Sequence, residues 1–275
     1  MRKTLLFLFA VSLIINSSAQ ETEKWFPTGL NIRPFAANFL EPRDGFNYLF
    51  GESNIRLDIG TSSDIVRIKS DNKTLSFGAD VFTYTRLRSE SGFKFPVEAI
   101  TYLFGINSGY KVRDDNNEYG FRFRFAHISA HLVDGSFDHT INAWRNGRDP
   151  FVYSKEFFEL FPFYRINGFR LYGGFTYIFH TVPSDIGKEI YQAGFDNYFT
   201  NFQIKAFTPF MGYDFKLQKI GEYAGSNIIT AGLKFGKWNK NGFSISISYY
   251  AGKSVQGELY NISESYASLG FNMEL

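Results

Sequence analysis

The sequence predicts an all-β protein, a transmembrane antiparallel β-barrel of about 12 strands with short periplasmic turns and longer extracellular loops. Three observations predict it: an unusual aromatic load, strict alternation of apolar and polar residues, and a last strand that alternates to the final residue. Among 275 residues are 33 Phe and 17 Tyr, yet the mean hydropathy is −0.20. A soluble domain has too little interior for so many rings, and a helical membrane protein would be far more apolar. A barrel reconciles the two, because only alternate residues of each strand face lipid, aromatic girdles sit at both interfaces, and the lumen stays polar.

The chain opens with Arg2 and Lys3, an apolar run from Leu5 to Ile15, and the small polar stretch Asn16-Ser17-Ser18-Ala19. This is the layout of a secretory signal over residues 1–19, with Gln20 as the first mature residue. No cysteine is present, so neither a lipoprotein anchor nor disulfides are expected. Residues 20–45, carrying Pro27, Pro34 and Pro42, read as a periplasmic lead-in or a plug, and residues 46–275 as the barrel.

Alternation at period two marks the strands. Leu75, Phe77, Ala79 and Val81 oppose Ser76, Gly78 and Asp80; Phe121, Phe123 and Phe125 oppose Arg122 and Arg124. The pattern returns in Phe169 to Phe179, in Phe207 to Phe215, in Ile229 to Phe235, and in Phe243 to Tyr249 opposite Ser244, Ser246 and Ser248. Tight turns are expected at Asp71-Asn72-Lys73, Asp114 to Asn117, Asn167-Gly168 and Asn239 to Gly242. Longer loops are expected at Ser89 to Phe95, Val133 to Pro150, Thr181 to Lys188, Ile220 to Asn227 and Gly252 to Ser263. Eleven strands are clear, and closing a barrel with both ends in the periplasm needs one more, near Phe46 to Phe50. The terminal strand, Ala267 to Leu275, looks like the signal read by the barrel assembly machinery: Ser268, Gly270, then apolar Met273 and Leu275.

A formal net charge of +2 with no basic cluster argues against a nucleic-acid partner; outer-membrane lipids and the assembly machinery are the expected ones. No cofactor is expected. Lumen parity falls to Asp80, Arg86, Arg88, Arg122, Arg124, Arg170, Asp214, Lys216 and Lys234, a mixture of signs that suits a hydrogen-bonded plug better than a selective pore. His180 has lumen parity on its strand.

One cluster could carry chemistry: His127, Ser129 and His131 at the upper end of their strand, on the lipid-facing parity of Phe121 to Phe125. Residues two apart on one strand face stand roughly 7 Å apart, so His127 could act as general base toward a nucleophilic Ser129. Glu159 would orient the imidazole, with Asp134 and Asp138 as substitutes. Against this stands a polar rim meeting headgroups and water. Metal binding is not expected, because His127 and His131 lie roughly 13 Å apart along a straight strand.

The His-x-Ser on a lipid-facing strand resembles outer-membrane phospholipase A and the lipid A deacylase, where an Asn follows the Ser; here Ala130 stands in that place. Over most of the mature chain the sequence resembles a different family, domain of unknown function 1207. The likeness is carried by Ser129 to Asp134, by Arg170-Leu171-Tyr172-Gly173-Gly174 with Tyr177 to His180, and by Tyr249 to Ser254 with Gly257. That resemblance implies an exported outer-membrane barrel and brings no activity. The leading expectation is an integral outer-membrane barrel with a structural, interaction or limited transport role; the other is a lipid-active acyl hydrolase.

Overall fold

The computed structural model describes residues 22–52, 54–202 and 206–274; the secretory signal expected over residues 1–19, the expected first mature residue Gln20 and the terminal Leu275 lie outside the described residues. Twelve strands form the barrel: β2 (Asp44–Leu49), β3 (Asn54–Ser70), β4 (Lys73–Arg88), β5 (Val97–Asp114), β6 (Asn117–Leu132), β9 (Tyr153–Ile166), β10 (Phe169–Val182), β11 (Ile186–Tyr198), β12 (Phe207–Ile220), β13 (Glu222–Phe235), β14 (Gly242–Lys253) and β15 (Ser263–Glu274). Each pairs antiparallel with its neighbour in sequence, and β15 returns to β2, with Phe271 opposite Phe46, to close the ring. The strand expected near residue 46 is β2. A short strand, β1 (Thr22–Trp25), adds to the lower half of β3 beyond the reach of β2, and β7 (Phe137–Asp138) with β8 (Ala143–Trp144) forms a hairpin in the longest loop.

Turn chemistry sets one end of the barrel. Asp71, Asp115 and Asn167 take positive φ of 50°, 48° and 51°, the conformation that two-residue hairpin turns require and that Asp and Asn tolerate best. The opposite end is less regular than expected. Residues 183–185 alone join β10 to β11, and Gly221 alone joins β12 to β13. The polar stretches expected there as long loops are instead strand, with Asn227 in register between Phe215 and Ala251. The strands run past the membrane face, where polar side chains are at home on both sides of the sheet.

Alternation sorts the two faces. On β6, Arg122, Arg124, Ala126, Ile128 and Ala130 are buried while Phe121, Phe123 and Phe125 are exposed. Around the outside, Val81, Ile106, Leu171, Ile229, Ile247 and Leu269 continue the exposed apolar belt. Water would not wet such a surface without a large cost, and lipid removes that cost. At the short-turn end Phe207, Phe235, Phe243, Phe271 and Phe46 follow one another around the wall at centroid spacings of 4.3, 4.2, 5.6 and 6.0 Å, a girdle at the height of the headgroups.

The lumen is filled. Its upper half holds Phe82, Tyr84, Leu103, Phe157, Ile178 and Tyr250, with Val255 and Tyr260 from the loop after β14 packed among them. Lower down, Ile32 and Phe35 from the segment before β2 pack on Phe161, Phe163 and Tyr172.

Candidate functional site

The segment between β1 and β2 passes through the lumen, and the charges of the barrel wall converge on it. Arg122 donates Nη1 and Nη2 to Glu41 at 2.7 and 2.6 Å. Arg170 donates to the backbone carbonyls of Arg33 and Pro34 at 2.8 and 2.6 Å. Arg56 donates to the carbonyl of Phe39 at 2.9 Å, and Lys216 to the Asn38 side chain at 3.0 Å. A chain without regular secondary structure leaves its carbonyls unpaired, and buried carbonyls must find donors; here long cationic side chains from the wall supply them. The ring of Phe35 lies 4.9 and 4.3 Å from the Arg122 and Arg170 guanidinium carbons.

Behind this contact the wall has its own network. Arg124, fully buried, donates Nε to Asp80 at 2.7 Å and stands 2.9 Å from Glu159. Tyr172 and Gln192 both donate to Asp214, at 2.6 and 2.5 Å. Asp80, Arg122, Arg124, Arg170, Asp214, Lys216 and Lys234 are all buried on the lumen side, as their parity predicts. Beside the segment, a cavity of about 100 Å³ is walled by Ser244, Ser246, Ser248 and Thr230.

The upper mouth is closed by the loop after β14. Gln256 accepts from the Thr101 hydroxyl at 3.0 Å, and Arg148 donates to the carbonyl of Glu258 at 2.7 Å. Gly257 has to be glycine, since a Cβ there would lie 2.6 Å from both Ala130 Cβ and the Tyr153 ring. Glu258 is buried, and burial pushes its carboxyl above the usual glutamate range, against the pull of the Phe151 and Leu132 amides and of Arg148.

The rim cluster differs from its expected form in two residues. His127 and Ser129 face outward on β6, as expected. Glu159 does not join them: it pairs with Arg124 across β6 and β9 and is 3% exposed, inside the lumen. Strand β9 is apolar on both faces, because Phe157, Phe161 and Phe163 point inward to the packed interior while Phe158 and Leu160 point to lipid; its sequence therefore gave the wrong parity. The acid beside His127 is Glu156, whose carboxylate meets His127 Nδ1 at 2.7 Å and His180 Nδ1 at 2.5 Å and accepts from Ser154 at 3.1 Å. His180 is the second correction: a bulge between Ile178 and His180 shifts the alternation by one and turns this His outward. Asp134 and Asp138 stay in the loop above, Asp138 bound to Thr140 and Arg145. Among the described residues no group of acids and histidines fits a metal ion.

The model of a family described as protein of unknown function (DUF1207) matches residues 100–274. The chain belongs to that family. In this DUF1207 chain two of the stretches that carried the resemblance meet at the upper mouth, where Ala130 and Gly257 lie against each other, while in the third Arg170 and Tyr172 hold Phe35 of the internal segment, 4.2 Å ring to ring for Tyr172. No curated protein matches the chain. Among solved structures it is similar to OprD of Pseudomonas aeruginosa, at 8% identity over 80% of this chain and 76% of that one with a TM-score of 0.35. It is also similar to OccAB1 of Acinetobacter baumannii, at 10% identity over 92% and 73% with a TM-score of 0.37.

Sequence reasoning missed Glu41, Glu156, Arg165 and Asp196. A signal for the first was available: the lumen-parity residues of the strands hold more cations than acids, so some of the balancing acid had to come from elsewhere, and Glu41 lies in the one proline-rich segment placed to enter.

Proposed function

We propose that this chain is an integral outer-membrane barrel whose lumen is occluded rather than conducting, serving a structural or interaction role at the membrane. The observation that carries this reading is the seating of residues 31–41 on wall charges from at least five strands, from Asn31 on Asp64 at 2.8 Å and Lys111 at 2.7 Å to Glu41 on Arg122. Each contact satisfies a buried charge or carbonyl, so withdrawing the segment would leave several unpaired groups at once. The barrel assembly machinery would read β15, the strand that closes the ring. Liposome swelling tests the occlusion: vesicles carrying the folded chain should take up small sugars no faster than empty ones, and rapid uptake would count against it.

A second reading, acyl hydrolysis at the outward rim, has one observation in its favour, the Glu156–His127 contact at 2.7 Å. Ser129 would attack an ester carbonyl while His127 takes its proton and Glu156, rather than Glu159, orients the ring. Mass spectrometry of membrane lipids from strains carrying wild type or Ser129→Ala decides it: lyso-lipid or deacylated lipid A made by wild type alone would establish it, and identical lipids would end it.

A further inference from the structure

At the short-turn end, opposite the closed mouth, the lumen opens into a cavity of about 690 Å³. Its charge is lopsided. Nine Arg and Lys side chains line it against three carboxylates, Asp44, Asp71 and Glu118. Internal pairing absorbs part of the surplus: Arg67 stands 2.5 Å from Asp64, and Arg33 and Arg43 donate to the backbone carbonyls of Lys240 and Asn38. Glu118 accepts from Arg113 at 2.9 Å, and the nearby Asp196 accepts from Arg170 at 3.0 Å. Two further cations share these same two acids at longer range. Lys111 Nζ donates to the Asn31 carbonyl at 2.7 Å and lies 3.8 Å from Glu118, and Arg165 lies 4.0 Å from Glu118 and 3.6 Å from Asp196.

Arg165 is the decisive residue. Its side chain is 5% exposed, it lines the cavity, and its Nη1 has no hydrogen-bond partner among the described residues. A buried guanidinium donor left open is costly, and such groups ordinarily find an acceptor. Trp238, from the turn after β13, lies 4.8 Å from the guanidinium carbon and covers one face of it, which leaves the in-plane N–H groups to meet a ligand. Arg165 and Lys111 both stand within 4.0 Å of the Glu118 carboxylate, and both line the same cavity.

We propose that this vestibule is a receptor for a phosphate monoester. Two cations without an acid of their own call for a dianion with several acceptor oxygens. A phosphate monoester supplies nearly two negative charges and three oxygens at neutral pH, where a lone carboxylate supplies one and two. The cavity has the volume of small-molecule sites, roughly 300–1,000 Å³, and exposed Lys69 and Lys240 at its lip extend the positive field outward. The ester is carried either by a soluble metabolite or by a lipid headgroup in the adjoining leaflet.

Calorimetric titration of the full folded chain with inorganic phosphate, at ionic strength held constant with chloride, tests the site. Wild type should bind saturably with one site, and Arg165→Gln, with its folded gel mobility verified, should weaken binding about tenfold or more, the effect of losing a charge-assisted hydrogen bond. Should Arg165→Gln fail to fold, the exposed pair Lys69→Gln/Lys240→Gln takes its place with a smaller loss. Repeating the titration in phosphatidylcholine vesicles with and without phosphatidic acid separates the sources: competition by phosphatidic acid assigns the site to a lipid, and its absence to a soluble ester. No saturable phosphate binding by wild type, or undiminished affinity in the folded variant, overturns the proposal.

Discussion

Glu41 and Arg122 form a two-bonded ion pair, 2.7 and 2.6 Å, between an internal segment and the barrel wall, with both side chains less than one-tenth exposed. Arg124 has nearer acids in Asp80 and Glu159, and Arg122 has only the longer contact of 3.4 Å to Glu159 besides Glu41 among the described residues, so Glu41 is the main counter-charge of Arg122. Removing one partner of a buried pair leaves the other charge uncompensated, at about 3–5 kcal/mol. Glu41→Ala should therefore lower the urea midpoint for loss of folded gel mobility substantially, while Glu90→Ala, whose exposed carboxylate meets the Arg88 side chain at the surface, should change it little.

The outward belt gives a separate prediction. Ile247 is 62% exposed on β14 with its neighbours Ser246 and Ser248 turned to the lumen. Ile247→Arg should cost about 2–4 kcal/mol in a bilayer, the penalty for a cation at mid-membrane on the lipid face of a barrel. Folding yield into vesicles reads it, and an unchanged yield would mean that this face does not meet lipid.

Gly257 seats the mouth loop where no side chain fits. Gly257→Val must push the loop away from Ala130 and Tyr153, a clash worth about 1–3 kcal/mol if it stays in place. External protease on intact cells should then cut between residues 254 and 262 in the variant and spare the wild type.

How far the sequence could be read depends on what each strand faces. On β6 lipid lies on one side and charges on the other, so Phe121 to Phe125 and Arg122 to Arg124 separate by parity alone. On β9 the inner face packs on Phe35 of the internal segment, so both faces are apolar and Glu159 was assigned to the wrong one. For His180 the alternation was right as far as Ile178, and one bulged residue reversed it. The contact of Glu156 with His127 follows only from the register between β6 and β9, which the sequence does not encode in any short motif. That the segment before β2 could act as a plug was legible from its prolines and from the mixed lumen charges; which carbonyl each arginine takes was not.

Glu258 carries a pH dependence. Burial raises its carboxyl above the ordinary value of 4.5. An acid raised in the folded state contributes stability that is complete below its ordinary value and is lost as pH rises through the raised one. Protease resistance of the mouth loop in wild type should accordingly fall as pH rises from about 4.5 toward neutrality. Glu258→Gln, which cannot ionise, should keep the acidic level of protection throughout; a parallel decline in both proteins would count against the carboxyl as its cause.

The most direct measurement is single-channel conductance in planar bilayers of wild type beside a variant lacking both residues 31–41 and the mouth loop, residues 254–262. The occluded-barrel account predicts a silent wild type and stable conductance steps in the variant, because the lower lumen then loses the chain that fills it and the upper lumen loses Val255 and Tyr260 of the loop that closes it. Stable steps of equal size from both proteins would contradict it.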